Sequence, residues 1–379
     1  MKTVYYWSPC LTNVGTLKST VNSAIALSKY SKNKYKVKII NICGEWNNYR
    51  NIFRENNIEI EEFKLDYFRF LPKNGFVVTR ISYIIIILLS VFPLLMLLKE
   101  KKPDFLIIHL LTSLPLILLN IFKFNTKFIM RISGYPKLNS WRKLFWKITL
   151  NKVEKITCPT RDLIDQLKSL KIFDNKKIEY LPDAIINIKD FKYQIKLKKP
   201  FNLPKKFFIS VGRLTKQKNF SYLIDEFYEF SKTDKEIDLL IFGEGEQKNF
   251  LLKKIKEKSL ENRIFLMGHS NHIYYYMKKA SAFILSSLWE EPGFVIIEAA
   301  LSNLFVISSD CPNGPKEFLL NGNAGLLFES NKRGELKNRI GEFIKFNNDN
   351  EIKLKKIRAK KNCINYTMFR HSRYLKNFI

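Results

Sequence analysis

Four charged side chains in the second half of the chain stand at spacings that suit an anionic, sugar-bearing ligand. Gly212 closes the apolar run FFISVG, Arg213 follows at once, and Lys218 stands at the mouth of the next helical stretch. A glycine turn with two cations at the ligand end of a strand suits a diphosphate, because arginine offers a planar fork of donors and lysine a mobile point charge. Two solvated surface cations are the competing interpretation. In SSLWEEPGFVIIEAALS, Glu290 and Glu298 stand with seven residues between them, across a Pro-Gly break that opens a helix near Gly293. The N–H groups of Gly293, Phe294 and Val295 lack acceptors inside such a helix and favour phosphate oxygens. A carboxylate on the loop can accept from sugar hydroxyls, and Glu298, one turn into the helix, from a ribose diol. Alternatively, Glu291 or Glu298 merely caps the helix and favours its dipole.

These groups need a scaffold that holds strand ends in line. Short apolar runs alternate with helical patterns: TVYYW (3–7) before a helical stretch from Leu17 to Tyr30, then KVKIINI (36–42), FLIIHLL (105–111), KFIMRIS (127–133), KITCPT (155–160) and KIEYLPD (177–183). Continuous apolar strands separated by helices predict parallel sheets covered on both faces, a doubly wound α/β pattern. The alternation lapses over residues 184–205, AIINIKDFKYQIKLKKPFNLPK, a Lys-rich stretch that reads as a linker. It resumes with KFFISVG (206–212), Asn219 to Phe230 helical, DLLIFG (238–243), Gln247 to Lys258 helical, RIFLMG (263–268), AFILSS (282–287), a helix from about Phe294 to Ser302, and LFVISSD (304–310). The predicted organisation is therefore a first Rossmann-like domain over 1–195, a second over 205–365, and a helical tail, 366–379, that packs back on the first. A ligand cleft is expected between the two, outside the carboxyl ends of the strands.

Composition narrows the class. With 379 residues, 46% hydrophobic, 31 Phe and 17 Tyr, the chain is large enough for two cores and too apolar for a disordered scaffold. Residues 1–200 hold 35 basic and 15 acidic groups, so +20 of the net +30 falls in the first half, which calls for an anionic partner. Cys10, Cys43, Cys158, Cys311 and Cys363 are dispersed, which argues for a reducing compartment and against a structural zinc site. MKTVYYWSPC has no signal-peptide pattern, so a cytoplasmic location is expected. The eighteen uncharged residues from Ile81 to Leu98 lie at the lower limit for a membrane span. Pro93 and basic flanks on both sides fit a kinked helix that touches a membrane surface better than a span; a plain buried helix is the other possibility.

VGRLTKQKNF (211–220), IFGEGEQ (241–247), FLMGHS (265–270), EEPGFVIIEAA (290–300) and SSDCPNGPKEFLLNGNAGLLF (308–328) resemble, in order and spacing, the motifs of the retaining family 4 glycosyltransferases. SPCLTNVGT (8–16), PDFLIIH (103–109), RISGYPK (131–137) and EKITCPT (154–160) agree more loosely. The resemblance implies the GT-B fold, two doubly wound Rossmann-like domains facing each other across a cleft, and use of a nucleotide sugar. It assigns Arg213 and Lys218 to the donor diphosphate, Glu290 to the donor sugar and Glu298 to the ribose. It further places His109 near the transferred sugar, and Gly15, Gly212 and Gly243 where backbone approaches the ligand. Met267 and Gly268 would meet the base through main chain. The adjacent pair Glu290 and Glu291 departs from the usual single glutamate; spacing favours Glu290, and Glu291 remains an alternative.

Preorganised cations and helix-start amides would stabilise the departing diphosphate. No D-x-D occurs in the chain, so no metal and no cofactor beyond the donor, a uridine diphosphate sugar by resemblance, is expected. The basic first domain suits a lipid-linked saccharide at the inner face of a bacterial cytoplasmic membrane, as in capsule or O-antigen synthesis. Two rivals belong to other classes. A nucleic-acid binder lacks an aromatic sheet motif or an Arg-dense recognition helix, and retention of Arg213, Lys218, Glu290 and Glu298 speaks against a non-catalytic sugar-binding or scaffold subunit.

Overall fold

The structure, a computed structural model, describes residues 1–10, 15–65, 76–110, 112–136, 138–196, 203–346 and 350–379. Parts of the 8–16 and 131–137 motifs and of the linker lie outside the described residues. The chain divides into two compact units, one of Met1–Ile185 with Thr367–Ile379, the other of Ile186–Tyr366.

In chain order the first unit contains β1 (Lys2–Trp7), α1 (Gly15–Tyr30), β2 (Tyr35–Asn41), α2 (Arg50–Glu55), β3 (Glu59–Glu62), α3 (Phe76–Met96), β4 (Phe105–Ile108), α4 (Ser113–Ile121), β5 (Lys127–Arg131), α5 (Ser140–Thr149), β6 (Lys155–Cys158), α6 (Arg161–Ser169) and β7 (Ile178–Tyr180). Among the described residues its sheet is parallel, in the order β3-β2-β1-β4-β5-β6-β7. Side chains alternate across it. Tyr5 and Trp7 of β1 enter one apolar core with α3, α4 and α5, while Val4 and Tyr6 enter another with α1. Burial on both faces is why these strands read as continuous apolar runs.

The second unit follows with α7 (Ile188–Gln194), β8 (Lys206–Val211), α8 (Phe220–Ser231), β9 (Ile237–Phe242), α9 (Lys248–Glu257), β10 (Ile264–Gly268), α10 (Ile273–Met277), β11 (Ala282–Leu285), α11 (Phe294–Leu301), β12 (Phe305–Ser309), α12 (Pro315–Phe318), β13 (Leu326–Phe328), α13 (Glu335–Phe346) and α14 (Asn350–Asn362). Its parallel sheet has the order β10-β9-β8-β11-β12-β13. The last helix, α15 (Met368–Leu375), returns to the first unit and packs on α1.

One boundary differs from the sequence expectation. The first unit ends at Ile185 rather than 195, because α7 joins the second: the Phe191 ring meets Tyr274 edge-on at 5.1 Å, and the Tyr274 amide donates to Gln194 Oε1. The segment from Ile81 to Leu98 is neither wholly buried nor detached. Ile86, Leu94, Leu97 and Leu98 pack in the core, while Ile84, Leu88 and Phe92 are exposed.

Candidate active site

In each sheet the strand order reverses once, between β1 and β4 in the first unit and between β8 and β11 in the second. Such switch points open crevices at the carboxyl ends of the strands, where ligands bind in doubly wound folds. The residues singled out in the sequence cluster at both.

In the second unit β8 runs out at Val211, and Gly212 N still donates to Phe242 O at 2.9 Å. A short 3-10 turn, Lys216–Lys218, then brings the Lys218 side chain back over Gly212. A Cβ on Gly212 would lie 3.1 Å from Lys218 Cγ, Cδ and Cε, so glycine makes room for the lysine stem. Gly243 is required for another reason: its φ is +146°, and a Cβ there would stand 1.8 Å from Gly212 O.

Across the switch point, the loop after β11 holds Glu290. Lys218 Nζ lies 2.5 Å from Glu290 Oε1, and Ser287 Oγ donates to the same oxygen at 2.5 Å. Both charged groups are largely buried. One backbone bond and one side-chain bond zip the two loops together: Leu288 N donates to Gln217 O at 2.8 Å, and Ser286 Oγ donates to Lys218 O at 2.8 Å. The two residues assigned by resemblance to different parts of the donor are therefore partners of each other. Arg213 is exposed, and no ion pair holds it among the described residues. With Lys218 neutralised by Glu290, the positive charge that no ion pair compensates on this loop, among the described residues, is that of Arg213 and Lys216.

Glu291 is exposed whereas Glu290 turns inward, which distinguishes the adjacent pair. Gly293, at φ +84°, precedes α11, and Phe294 and Val295 form its half-buried first turn. Glu298 is buried one turn in. Its charge contributes, after burial, to the raised pKa of the Tyr274 hydroxyl. Met267 is exposed at the end of β10, and Gly268 O accepts from Gly243 N at 2.8 Å. Cys311 lies close enough to Glu290 and Lys218 to feel their charges, and burial pushes its thiol up to about 12, so it is a protonated thiol and not a nucleophile.

At the first unit's switch point His109 follows β4, its amide donating to Trp7 O at 2.9 Å. Its Nδ1 lies 2.9 Å from Thr20 Oγ1, which also donates to Ser8 Oγ at 3.2 Å. Burial, reinforced by the Arg131 and His371 charges, holds His109 well below the ordinary histidine range, so the ring is neutral at pH 7. Arg131, at the end of β5, forms a buried two-bond pair with Asp183, Nε to Oδ1 at 3.0 Å and Nη2 to Oδ2 at 2.5 Å, and Ser19 Oγ donates to Asp183 Oδ1 at 2.7 Å. Gly15 begins α1; a Cβ there would meet nothing within 4 Å, so the protein's own packing does not demand glycine.

Sequence inspection missed Ser287, Thr20, Arg131 and Asp183. Ser287 stands three residues before Glu290, a spacing that a loop carboxylate could have suggested; the separation of 52 positions from Arg131 to Asp183 leaves no local signal.

Residues 192–361 match the family model described as glycosyl transferases group 1. A glycosyltransferase described as uncharacterized, from Methanocaldococcus jannaschii, is 32% identical over 260 residues, covering 62% of each chain. The N-acetylgalactosamine-N,N'-diacetylbacillosaminyl-diphospho-undecaprenol 4-alpha-N-acetylgalactosaminyltransferase of Campylobacter jejuni is 40% identical over 127 residues, 34% of each. The match thus spans less than two thirds of either relative's length. The crystal structure of Anabaena Alr3699/HepE in complex with UDP and glucose superposes with a TM-score of 0.74 at 13% identity, over 100% of this chain and 99% of that one. The chain has the GT-B fold. In GT-B terms, Lys218 and Glu290 sit at the switch point of the carboxyl-terminal Rossmann-like unit, and His109 at that of the amino-terminal one.

Proposed function

We propose that the chain is a retaining, metal-independent hexosyltransferase that moves a sugar from a uridine diphosphate sugar to a lipid-linked saccharide. Its place is the inner face of a bacterial cytoplasmic membrane, in the synthesis of a surface polysaccharide such as capsule or O-antigen. One observation carries the reading: a lysine and a buried carboxylate meet at the second unit's switch point, beside a glycine turn and the open end of α11.

The chemistry follows from the charges. Leaving of the diphosphate builds negative charge on its oxygens and positive charge at the anomeric carbon. Lys218 has three donors, of which Glu290 takes one, so it can hold phosphate while staying paired. Arg213 adds the charge that Lys218 has already shared, and the first amides of α11 add fixed dipoles. Glu290 accepts from the sugar hydroxyls, and Glu298 from the ribose. His109, kept neutral with its hydrogen on Nδ1 toward Thr20, accepts a hydrogen bond from a sugar hydroxyl at Nε2 without repelling the developing cation. Main chain at Met267 and Gly268 meets the base. These donors stand in for a divalent cation. Retention rests on the resemblance to family 4 enzymes, and a lipid-linked acceptor is supported by the diphospho-undecaprenol in the name of the Campylobacter relative.

A panel of nucleotide sugars tested by thermal shift, followed by release of nucleoside diphosphate with the best binder, tests the reading. A rise in Tm with one uridine diphosphate sugar, and turnover unchanged in excess EDTA, are expected. No shift with any nucleotide sugar would overturn it.

A further inference from the structure

Helices α3, α4 and α5 all lean on one face of the first unit's sheet, contributing Leu94, Leu116 and Trp146 to the same core. α4 packs against both of the others. Their opposite sides therefore look away from the sheet together, and those sides are apolar. On α3, Ile84, Leu88 and Phe92 fall at helical spacing, with Leu88 66% and Phe92 68% exposed, and only one third of the apolar stretch is buried. α4 adds Ile121, also 66% exposed.

α5 is the informative member. Its sequence SWRKLFWKIT buries Trp146 and Thr149, yet Trp141, Leu144 and Ile148 recur at i, i+3 and i+7 on the outer side, Trp141 being 82% exposed. A surface helix normally carries polar residues there. Lys143 and Lys147 flank this outer stripe, and beside it lies a shallow groove of about 680 Å³ lined by Ser140, Lys143, Leu144, Lys147, Ser169 and Lys171 among others. Among the described residues no acidic side chain lines it. Lysines with an apolar floor, next to an exposed tryptophan, match the headgroup region of an anionic bilayer: phosphates above, acyl chains below.

We propose that the outer faces of α3, α4 and α5 form one lipid-docking surface. On it α5 lies in the membrane interface with Trp141 as its anchor, and the Lys143–Lys147–Lys171 groove receives lipid phosphates. α3 lies on the bilayer rather than across it, because Ile86, Leu94, Leu97 and Leu98 remain in the protein core. This specifies the membrane placement proposed above, and it is tested without any nucleotide sugar, so its failure would leave the transferase reading standing.

Full-length protein would be sedimented with vesicles of equimolar phosphatidylglycerol and phosphatidylcholine, and with phosphatidylcholine alone. Strong binding to the first and weak binding to the second are expected. The triple variant Trp141→Ala, Leu144→Ser, Ile148→Ser, and separately Lys143→Glu with Lys147→Glu, should each weaken binding about tenfold or more. The changed side chains are exposed, and circular dichroism would verify that each variant folds. In a Trp289→Phe background Trp141 is the remaining exposed tryptophan, so brominated lipid should quench its emission. Undiminished binding by the triple variant, or no binding to anionic vesicles at low salt, would overturn the proposal. So would a lipid-free dimer that the triple variant turns into a monomer, since a second copy would then own this face.

Discussion

Lys218 and Glu290, 72 positions apart in the chain, meet at 2.5 Å on the two loops that flank the second unit's switch point. Each is largely buried, so removing one partner strands the other's charge. Lys218→Ala should therefore lower stability by about 3 kcal/mol as well as abolish transfer. Arg213→Ala, at an exposed position, should abolish transfer with Tm unchanged. Replacing the pair together, Lys218→Met with Glu290→Leu, should restore much of the stability and none of the activity. Urea unfolding beside a transfer assay separates the three outcomes.

Gly243 tests the scaffold rather than the charges. Alanine at φ +146°, with its Cβ 1.8 Å from Gly212 O, forces the β8 and β9 ends apart and moves the turn on which Lys218 rests. Loss of about 2 kcal/mol or more and a raised KM for the donor are expected. A variant with normal Tm and normal KM would show that the turn has slack.

Asp183→Ala leaves the Arg131 guanidinium buried without its carboxylate. A cost of about 3–5 kcal/mol follows, and Asp183→Asn, which retains one acceptor, should cost less. Chemical denaturation of the two variants provides the comparison.

Acid should loosen the first unit through its histidines. Burial lowers the pKa of His109 and of His371 below the unfolded value of 6.5, so both fold as neutral rings. A base whose folded pKa is depressed contributes stability in full above 6.5, and that stability is lost as pH falls below 6.5 toward the folded pKa. The urea midpoint should fall between about pH 6.5 and pH 5, with His371→Gln flattening the slope. An unchanged slope in that variant would place the proton uptake elsewhere.

Much of the scaffold was legible because burial on both faces of a parallel sheet leaves a local mark: FLIIHLL and KFFISVG are apolar without alternation, and each became a strand with a candidate residue, His109 or Gly212, just beyond it. Lys218 and Glu290 could be singled out by spacing and resemblance, but not as partners, since their meeting depends on β8 and β11 lying side by side. The same holds for Arg131 with Asp183. α7 was misread as linker because seven residues with three charges carry little periodicity, and its assignment is decided by Tyr274, eighty residues on. The outer stripe of α5 shows the converse case. Its pattern is visible in SWRKLFWKIT, yet only the burial of Trp146 reveals which of its two apolar sides is the spare one.

The return of α15 sets an order on synthesis. His371 Nδ1 lies 2.7 Å from the Pro182 carbonyl, which can only accept, so Nδ1 carries the hydrogen and Nε2 accepts from Ser23 Oγ at 2.7 Å; Ser23 in turn lies 3.0 Å from Tyr6 OH. One of the first strands to leave the ribosome thus waits for one of the last helices before its polar neighbours are satisfied. The intervening unit, continuous from Ile186 to Tyr366, can fold on emergence, and a nascent chain stalled after Tyr366 has emerged but before α15 would hold a finished second half and an unsealed first.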